Sequence, residues 1–131
     1  MKKSFSATLS NLKNIRVATK DFLKTYEVDL NIIKNIQLAV DEAVTNVIKH
    51  SYKEENINNI IEIKLEFKEG RIIIHLYDNG SSVNKEKIKP RELENIKPGG
   101  LGTYFMNSIM DELKWSESKV WVNHFTMIKK I

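Results

Sequence analysis

The stretch that most limits how this chain can fold runs from residue 36 to residue 50 and reads IQLAVDEAVTNVIKH. At 3.6 residues per helical turn, its apolar and polar residues separate onto opposite sides of a helix. The apolar side should lie on a core and consists of Ile33, Ile36, Val40, Val44 and Val47. The opposite side carries Glu42, Asn46 and Lys49, with His50 at its edge. This combination favours a functional site, although exposed helix faces usually carry mixed charges.

Length and composition predict one cytoplasmic globular domain over residues 1–131. With 131 residues, 41% hydrophobic and 29% charged, the chain can bury a single core. The absence of cysteine excludes disulfides and thiolate metal sites. No apolar run reaches the length of a membrane span or a signal-peptide core. The net charge of +4 is spread over many lysines and does not by itself indicate nucleic acid.

Hydrophobic periodicity predicts the remaining elements. The first half contains a strand at 3–9, a helix at about 12–26 capped by Ser10 or Asn11, and the central helix from a cap at Asp29 to about Ser51. A loop at 53–59 leads to a hairpin of strands at 61–67 and 71–77. A further helix runs from the glycine cluster at 99–102 to about Leu113, and closing strands follow at 114–117 and 120–129. This order predicts an α+β fold: a two-layer α/β sandwich with a mixed, mostly antiparallel sheet and helices on one face. The other face is left for a partner or a second subunit.

Two loops could carry chemistry. Asp78-Asn79-Gly80 ends a predicted strand, where the carboxylate can accept a hydrogen bond from an exocyclic amine and Gly80 allows a ring to approach the backbone. An ordinary turn is the alternative, because these residue types are common in turns. The glycines at 99, 100 and 102 open a helix, whose free N–H groups and dipole suit phosphate. The alternative there is a flexible hinge, and the pattern is not a P-loop.

Together, these motifs resemble the GHKL (Bergerat-fold) ATPases, and most closely the anti-sigma-factor serine kinases of bacterial partner-switching systems. The stretch at 41–52 resembles that family's N box, and 98–113 resembles its glycine-rich lid hinge and following helix. Asn123-His-Phe-Thr126 resembles its last strand. The similarity covers essentially the whole chain.

The resemblance implies roles for the residues on the central helix and in the first loop. Glu42 would be the general base for a serine hydroxyl, and Asn46 would supply a side-chain oxygen to Mg²⁺. Lys49 and His50 would lie near the triphosphate of ATP. Asp78 would hold the adenine amine.

Further roles follow from the same resemblance. Gly80 would admit the adenine ring, and Thr126 would stand behind it. The lid hinge would present N–H groups to the phosphates through Gly99, Gly100, Leu101 and Gly102. Arg16 on the first helix matches a position used for partner contacts, but it could equally be an exposed helix charge.

The predicted function is therefore that of an ATP- and Mg²⁺-dependent serine-protein kinase that sequesters a sigma factor and phosphorylates a small anti-sigma-factor antagonist. Likeness to the family also implies a homodimer through the exposed sheet face, with Phe5 and its strand as the expected contact. The alternative is a non-catalytic, nucleotide-gated binding module with a partner other than a sigma factor. Nucleic-acid binding has little support, because no lysine stripe interleaves with the aromatic residues.

Overall fold

The computed structural model describes residues 1–82 and 106–131. In chain order the elements are strand β1 (Lys2–Ala7), a 3₁₀ turn (Leu9–Asn11), helix α1 (Leu12–Lys24), helix α2 (Leu30–Asn46), a π-helical turn (Val47–Tyr52), and strands β2 (Asn56–Lys68), β3 (Arg71–Asp78), β4 (Glu112–Ser116) and β5 (Asn123–Lys130). Residues 106–109 are helical. The predicted glycine cluster at 99–102 lies outside the described residues.

The strands form one sheet in the order β1-β2-β3-β5-β4, and each neighbouring pair is antiparallel. Residues directly opposite each other in such a sheet point to the same side, and successive residues alternate. One face therefore collects the buried apolar side chains Ile61, Ile63, Leu65, Ile72, Ile74, Leu76, Phe125 and Met127. Helices α1 and α2 pack on this helix-covered face, which confirms the predicted two-layer α+β arrangement.

Helix α2 turns its apolar stripe into that core, as the sequence predicts. The members of the stripe are between 0% and 6% exposed: Ile33, Ile36, Val40, Val44 and Val47. The helix begins where Asp29 accepts a hydrogen bond of 2.8 Å from the Asn31 amide, so the predicted N-cap is confirmed.

Several element boundaries differ from the predicted ones. Strand β2 begins at Asn56, inside the predicted loop, because the register shifts between Ser6 and Ala7 of β1. Ser6 pairs with Ile60 and Ala7 with Asn56, so the extra residues of this irregularity lie on β2, at 57–59. Leu113 lies in β4 rather than in a helix, since its backbone pairs with Met127 of β5.

Phe5 points into the core, so the expectation that Phe5 contacts a second subunit was wrong; the expectation for the rest of its strand and for the homodimer stays a prediction. Phe5 is opposite Ile61 and only 8% exposed, within the core. The open face of the sheet is lined instead by Tyr77, His75 and His124, which lie opposite or beside one another on β3 and β5.

Within residues 1–82 and 106–131, no helix is both long and apolar enough to cross a bilayer.

Candidate functional site

Asp78 is a buried carboxylate at the end of β3. It is 2% exposed, and its Oδ1 accepts hydrogen bonds from the Ser51 hydroxyl (2.5 Å), the Gly80 amide (2.9 Å) and the Asn123 side-chain amide (2.9 Å). A buried carboxylate needs such donors to offset the loss of water. All the hydrogen bonds that the described residues make to Asp78 go to Oδ1. Oδ2 is thus available to an incoming donor, such as the exocyclic amine of adenine.

The π-helical turn after α2 brings Ser51 and Tyr52 against the loop that follows Asp78. The Ser51 carbonyl accepts from the Ser81 amide at 2.7 Å, and the Tyr52 hydroxyl accepts from the Asn79 amide at 2.9 Å. The Tyr52 hydroxyl also donates to the Ile60 carbonyl at 2.6 Å. Burial raises the pKa of Tyr52, so the hydroxyl keeps the proton that it donates. Single π-helical turns within helices are frequent at functional sites.

Gly80 is required by this packing. A Cβ at position 80 would lie 2.5 Å from the carbonyl carbon and 2.6 Å from the carbonyl oxygen of Ser51. The sequence suggested that Gly80 leaves room for a ring. The structure adds another reason for the glycine: the loop lies directly on the backbone of Ser51.

Asn123 and Thr126 both lie on β5 but face opposite sides of the sheet. Asn123 lies opposite Asp78, on the helix-covered face, and its Nδ2 is 2.9–3.0 Å from Asp78 Oδ1, Ser51 Oγ and the Ser81 carbonyl. Thr126 lies opposite His75, and its hydroxyl is 3.3 Å from that ring. The structure therefore places Asn123, and not Thr126, in the Asp78 cluster.

Glu42 and Asn46 lie one turn apart on α2, and both are partly exposed. Their spacing puts the two side chains on the same side of the helix. Lys49 and His50 follow in the π-helical turn and are exposed. This segment thus carries a carboxylate, an amide, a cation and an imidazole close to Ser51, and through Ser51 it is joined to Asp78.

Arg16 forms an ion pair with the residue before Glu42. Its Nε lies 3.5 Å from Asp41 Oδ2 and 3.3 Å from the Leu12 carbonyl, with the side chain 47% exposed. Burial raises the pKa of the Asp41 carboxyl, and Arg16 acts in the opposite direction. Arg16 is therefore both accessible to a partner and engaged with α2.

The donor set fits a nucleotide with Mg²⁺ better than a protein-bound metal. Within the described ranges, no three His, Asp or Glu side chains form a metal-binding group. Mg²⁺ bound to a triphosphate needs few protein ligands, because phosphates and water supply most of its oxygens. One amide oxygen from Asn46 fits that requirement, and the buried Asp78 carboxylate fits the amine of adenine. The predicted phosphate-binding residues Gly99, Gly100, Leu101 and Gly102 lie outside the described residues.

The sequence did not single out two residues of the Asp78 cluster, Ser51 and Asn123. In the sequence, Ser51 falls at the end of the predicted helix and within the 41–52 motif, and Asn123 falls in the last-strand motif, but neither receives a role there. A polar residue at a buried position of an otherwise apolar strand face was the one available signal for Asn123.

Comparison with known proteins identifies the family. Residues 5–129 match the model of the histidine kinase-like ATPase domain. Serine-protein kinases named RsbW, from Staphylococcus aureus strains bovine RF122 / ET3-1 and MRSA252, are each 39% identical over 107 residues, which cover 75% of this chain and 67% of theirs.

Solved structures share the fold. The RsbU and RsbW domains of Rv1364c from Mycobacterium tuberculosis align over 99% of this chain with a TM-score of 0.66 and 15% identity, and this chain spans 31% of that one. The SiaB–SiaC complex from Pseudomonas aeruginosa aligns over 100% of this chain and 89% of that chain, with a TM-score of 0.60 and 13% identity. The resemblance to GHKL ATPases drawn from the motifs is confirmed, and the chain belongs to the histidine kinase-like ATPase domain family.

Proposed function

We propose that this protein is an ATP-dependent serine-protein kinase that acts as an anti-sigma factor and phosphorylates a small antagonist protein. The observation that carries the proposal is the buried Asp78 carboxylate at the end of β3, whose Oδ1 takes all the hydrogen bonds from the described residues. Ser51 bonds this carboxylate to the segment that carries Glu42 and Asn46. The similarity to serine-protein kinases named RsbW supports the same activity.

Base recognition and phosphate positioning are assigned to different residues. Asp78 accepts a hydrogen bond from the amine of adenine. Asn46 provides an oxygen ligand to Mg²⁺, and Lys49 and His50 lie on the exposed side of the next turn, where the triphosphate would extend. When bound with ATP, Mg²⁺ neutralises charge on the transferred phosphoryl group.

Glu42 is the proposed general base. The serine oxygen of the antagonist forms the new bond to the γ-phosphorus as the bond to the β-phosphate oxygen breaks. Glu42 accepts the hydroxyl proton, and ADP leaves with the electron pair of the broken bond. Positioning and charge neutralisation do most of the work in such a transfer.

Two accessible surfaces are assigned to partner proteins. We assign Arg16 to the surface that contacts the antagonist or a sigma factor, because its side chain is 47% exposed beside α2. We assign the open face of the sheet to a homodimer contact, since the helices leave that face uncovered.

The decisive experiment measures transfer from γ-labelled Mg·ATP to a purified antagonist protein, with phosphoserine identified by mass spectrometry. Glu42→Gln should lower the rate by at least about 100-fold. The control is Glu54→Gln, an exposed carboxylate outside the site, which should leave transfer unchanged. Transfer that persists in Glu42→Gln would exclude Glu42 as the base.

Nucleotide binding is tested separately by calorimetry. Asn46→Ala should weaken Mg·ATP binding by about 10-fold or more, whereas Asn35→Ala, an exposed amide on the same helix, should not. Binding of ATP with ATP-dependent partner capture, but no phosphoserine, would replace the kinase with a nucleotide-gated binding module.

A further inference from the structure

The Asp78 carboxylate is held by side chains that the predicted nucleotide site does not include. Ser51 comes from the π-helical turn, 27 residues before Asp78, and Asn123 comes from β5, 45 residues after it. Ser51 is 8% exposed and Asn123 is 5% exposed, so water competes little for these bonds. The three side chains also bond to one another, because Asn123 Nδ2 lies 3.0 Å from Ser51 Oγ.

The chemistry of the donors fixes the direction of these bonds. Asn123 Nδ2 can only donate, so the Ser51 hydroxyl accepts from it and donates its own proton to Asp78 Oδ1. Asn123 Nδ2 carries two hydrogens for three acceptors (Ser51 Oγ, Asp78 Oδ1 and the Ser81 carbonyl), so one hydrogen is shared between two of them. With the Gly80 amide and this Asn123 contact, Oδ1 has three donor groups around it. A carboxylate oxygen with three donors is held strongly, since hydrogen bonds to charged groups are the strong ones. Rotation of the carboxylate to exchange Oδ1 for Oδ2 would break all three.

We propose that Ser51 and Asn123 are positioning residues for base recognition, which hold Asp78 by Oδ1 so that Oδ2 selects a purine with a 6-amino group over one with a 6-oxo group. This inference rests on the proposed function and adds the residues that set its base specificity. A 6-amino group donates to Oδ2, whereas a 6-oxo group would place an oxygen acceptor against a buried carboxylate.

The same residues tie base recognition to the loop geometry. Asn123 also donates to the Ser81 carbonyl at 2.9 Å, and the Ser51 carbonyl accepts from the Ser81 amide at 2.7 Å. The carbonyl and the amide of Ser81, in the loop after β3, are therefore bonded to β5 and to the π-helical turn respectively. Because Asn46 immediately precedes the π-helical turn and Ser51 lies within it, the proposed Mg²⁺ ligand and the base anchor belong to one continuous segment.

The test measures the affinities of Mg·ATP and Mg·ITP by calorimetry for wild type, Ser51→Ala and Asn123→Ala. ITP differs from ATP only in carrying a 6-oxo group and an N1 proton in place of the 6-amino group. In Ser51→Ala, we expect ATP affinity to fall by about 10- to 100-fold and ITP affinity to change by less than about 3-fold. Asn123→Ala should show the same two changes as Ser51→Ala. Ser4→Ala, which alters an exposed serine on β1, should change neither the ATP affinity nor the ITP affinity.

The ratio of the two affinities separates positioning from general structural damage. A variant that only disturbed the fold would lose ATP and ITP affinity together, and that result would overturn the inference. Ser51→Ala is the deciding variant if thermal denaturation shows that Asn123→Ala does not fold. A wild type that binds neither nucleotide would instead refute the proposed function, whereas a wild type that prefers ATP with an unchanged ratio in Ser51→Ala would refute this inference alone.

Discussion

Gly80 has no side chain because the Ser51 backbone occupies the space. In Gly80→Ala the new methyl group would lie within 2.6 Å of two Ser51 backbone atoms, so the loop must move. We expect a loss of about 1–3 kcal/mol in the free energy of unfolding and a clear loss of ATP affinity. Chemical denaturation and calorimetry measure the two effects.

Gly70→Ala is the matched control for this prediction. Gly70 has a φ of 72°, and its added Cβ would lie 3.4 Å from the Ile131 carbonyl, which is close to ordinary contact. The backbone strain should lower stability by about 1–2 kcal/mol while ATP affinity stays at the wild-type value. Equal losses of ATP affinity in the two variants would show that the Gly80 effect is not local.

Glu66 gives the protein a defined acid dependence. His75 Nε2 lies 2.9 Å from Glu66 Oε2, and this hydrogen bond lowers the pKa of Glu66. A carboxyl whose pKa is lower in the folded state stabilises the fold above its unfolded pKa of about 4.3, and loses that contribution as the pH falls through the folded value.

Glu66→Gln should therefore lose less stability than the wild type between about pH 5 and about pH 3, since glutamine does not titrate. Thermal denaturation across this range checks the prediction. Glu69→Gln, an exposed carboxylate in the adjacent turn, should follow the wild type. Parallel curves for wild type and Glu66→Gln would show that the His75 bond does not couple to folding.

At the scale of elements, α2 is the part that local sequence predicts best. Its apolar spacing, its cap at Asp29 and the common side of Glu42 and Asn46 all follow from helical periodicity, and the structure shows each of them. The π-helical turn could not be predicted in this way. The π-helical turn is accompanied by hydrogen bonds from Ser51 to Asp78 and from Ser81 to Ser51. These bonds join residues far apart in the chain, so no local sequence pattern predicts them.

The strand ends were poorly predicted for a related reason. Asn56 is followed by Ile57, Asn58 and Asn59, which predict a loop, and it joins β2 because these three residues bulge out and leave it opposite Ala7. Leu113 fits a helix as well as a strand by its spacing, and pairing with β5 decides between them.

Removal of the α2 cap tests how far this helix depends on its first turn. Asp29→Ala should lower the free energy of unfolding by about 1 kcal/mol, because the Asn31 amide loses its acceptor. ATP affinity should not change, since Asn46 lies at the other end of the helix. Denaturant titration of Asp29→Ala measures this loss, and Asp21→Ala, which removes an exposed carboxylate on α1, is the control. Identical unfolding midpoints for the two variants would mean that the cap is not needed.

At the scale of the whole molecule, the sheet separates two surfaces. The helix-covered face holds the core and ends in the Asp78 cluster, while the open face carries a stack in which the Tyr77 and His124 rings lie 4.3 Å apart. Trp121 lies next to Tyr77, with ring centroids 6.1 Å apart. A contact between subunits on the open face would therefore leave nucleotide binding undisturbed.

Tyr77→Glu should convert the proposed dimer to a monomer in sedimentation experiments, because it places a carboxylate among these rings. Its Mg·ATP affinity should remain that of the wild type. Lys13→Glu introduces the same side chain on the exposed side of α1 and should leave the dimer intact. A dimer that survives in Tyr77→Glu would place the contact elsewhere.

The arrangement around Asp78 also limits what a competitive inhibitor can look like. Since Ser51, Gly80 and Asn123 occupy Oδ1, a heterocycle that enters beside Asp78 must bring an N–H group for Oδ2. A scaffold with only hydrogen-bond acceptors on that edge would place their lone pairs against the buried Asp78 carboxylate and would be repelled, however well its shape fits. Screening libraries enriched in aminopyrimidines and aminopyridines are therefore the rational starting point for chemical probes of this protein.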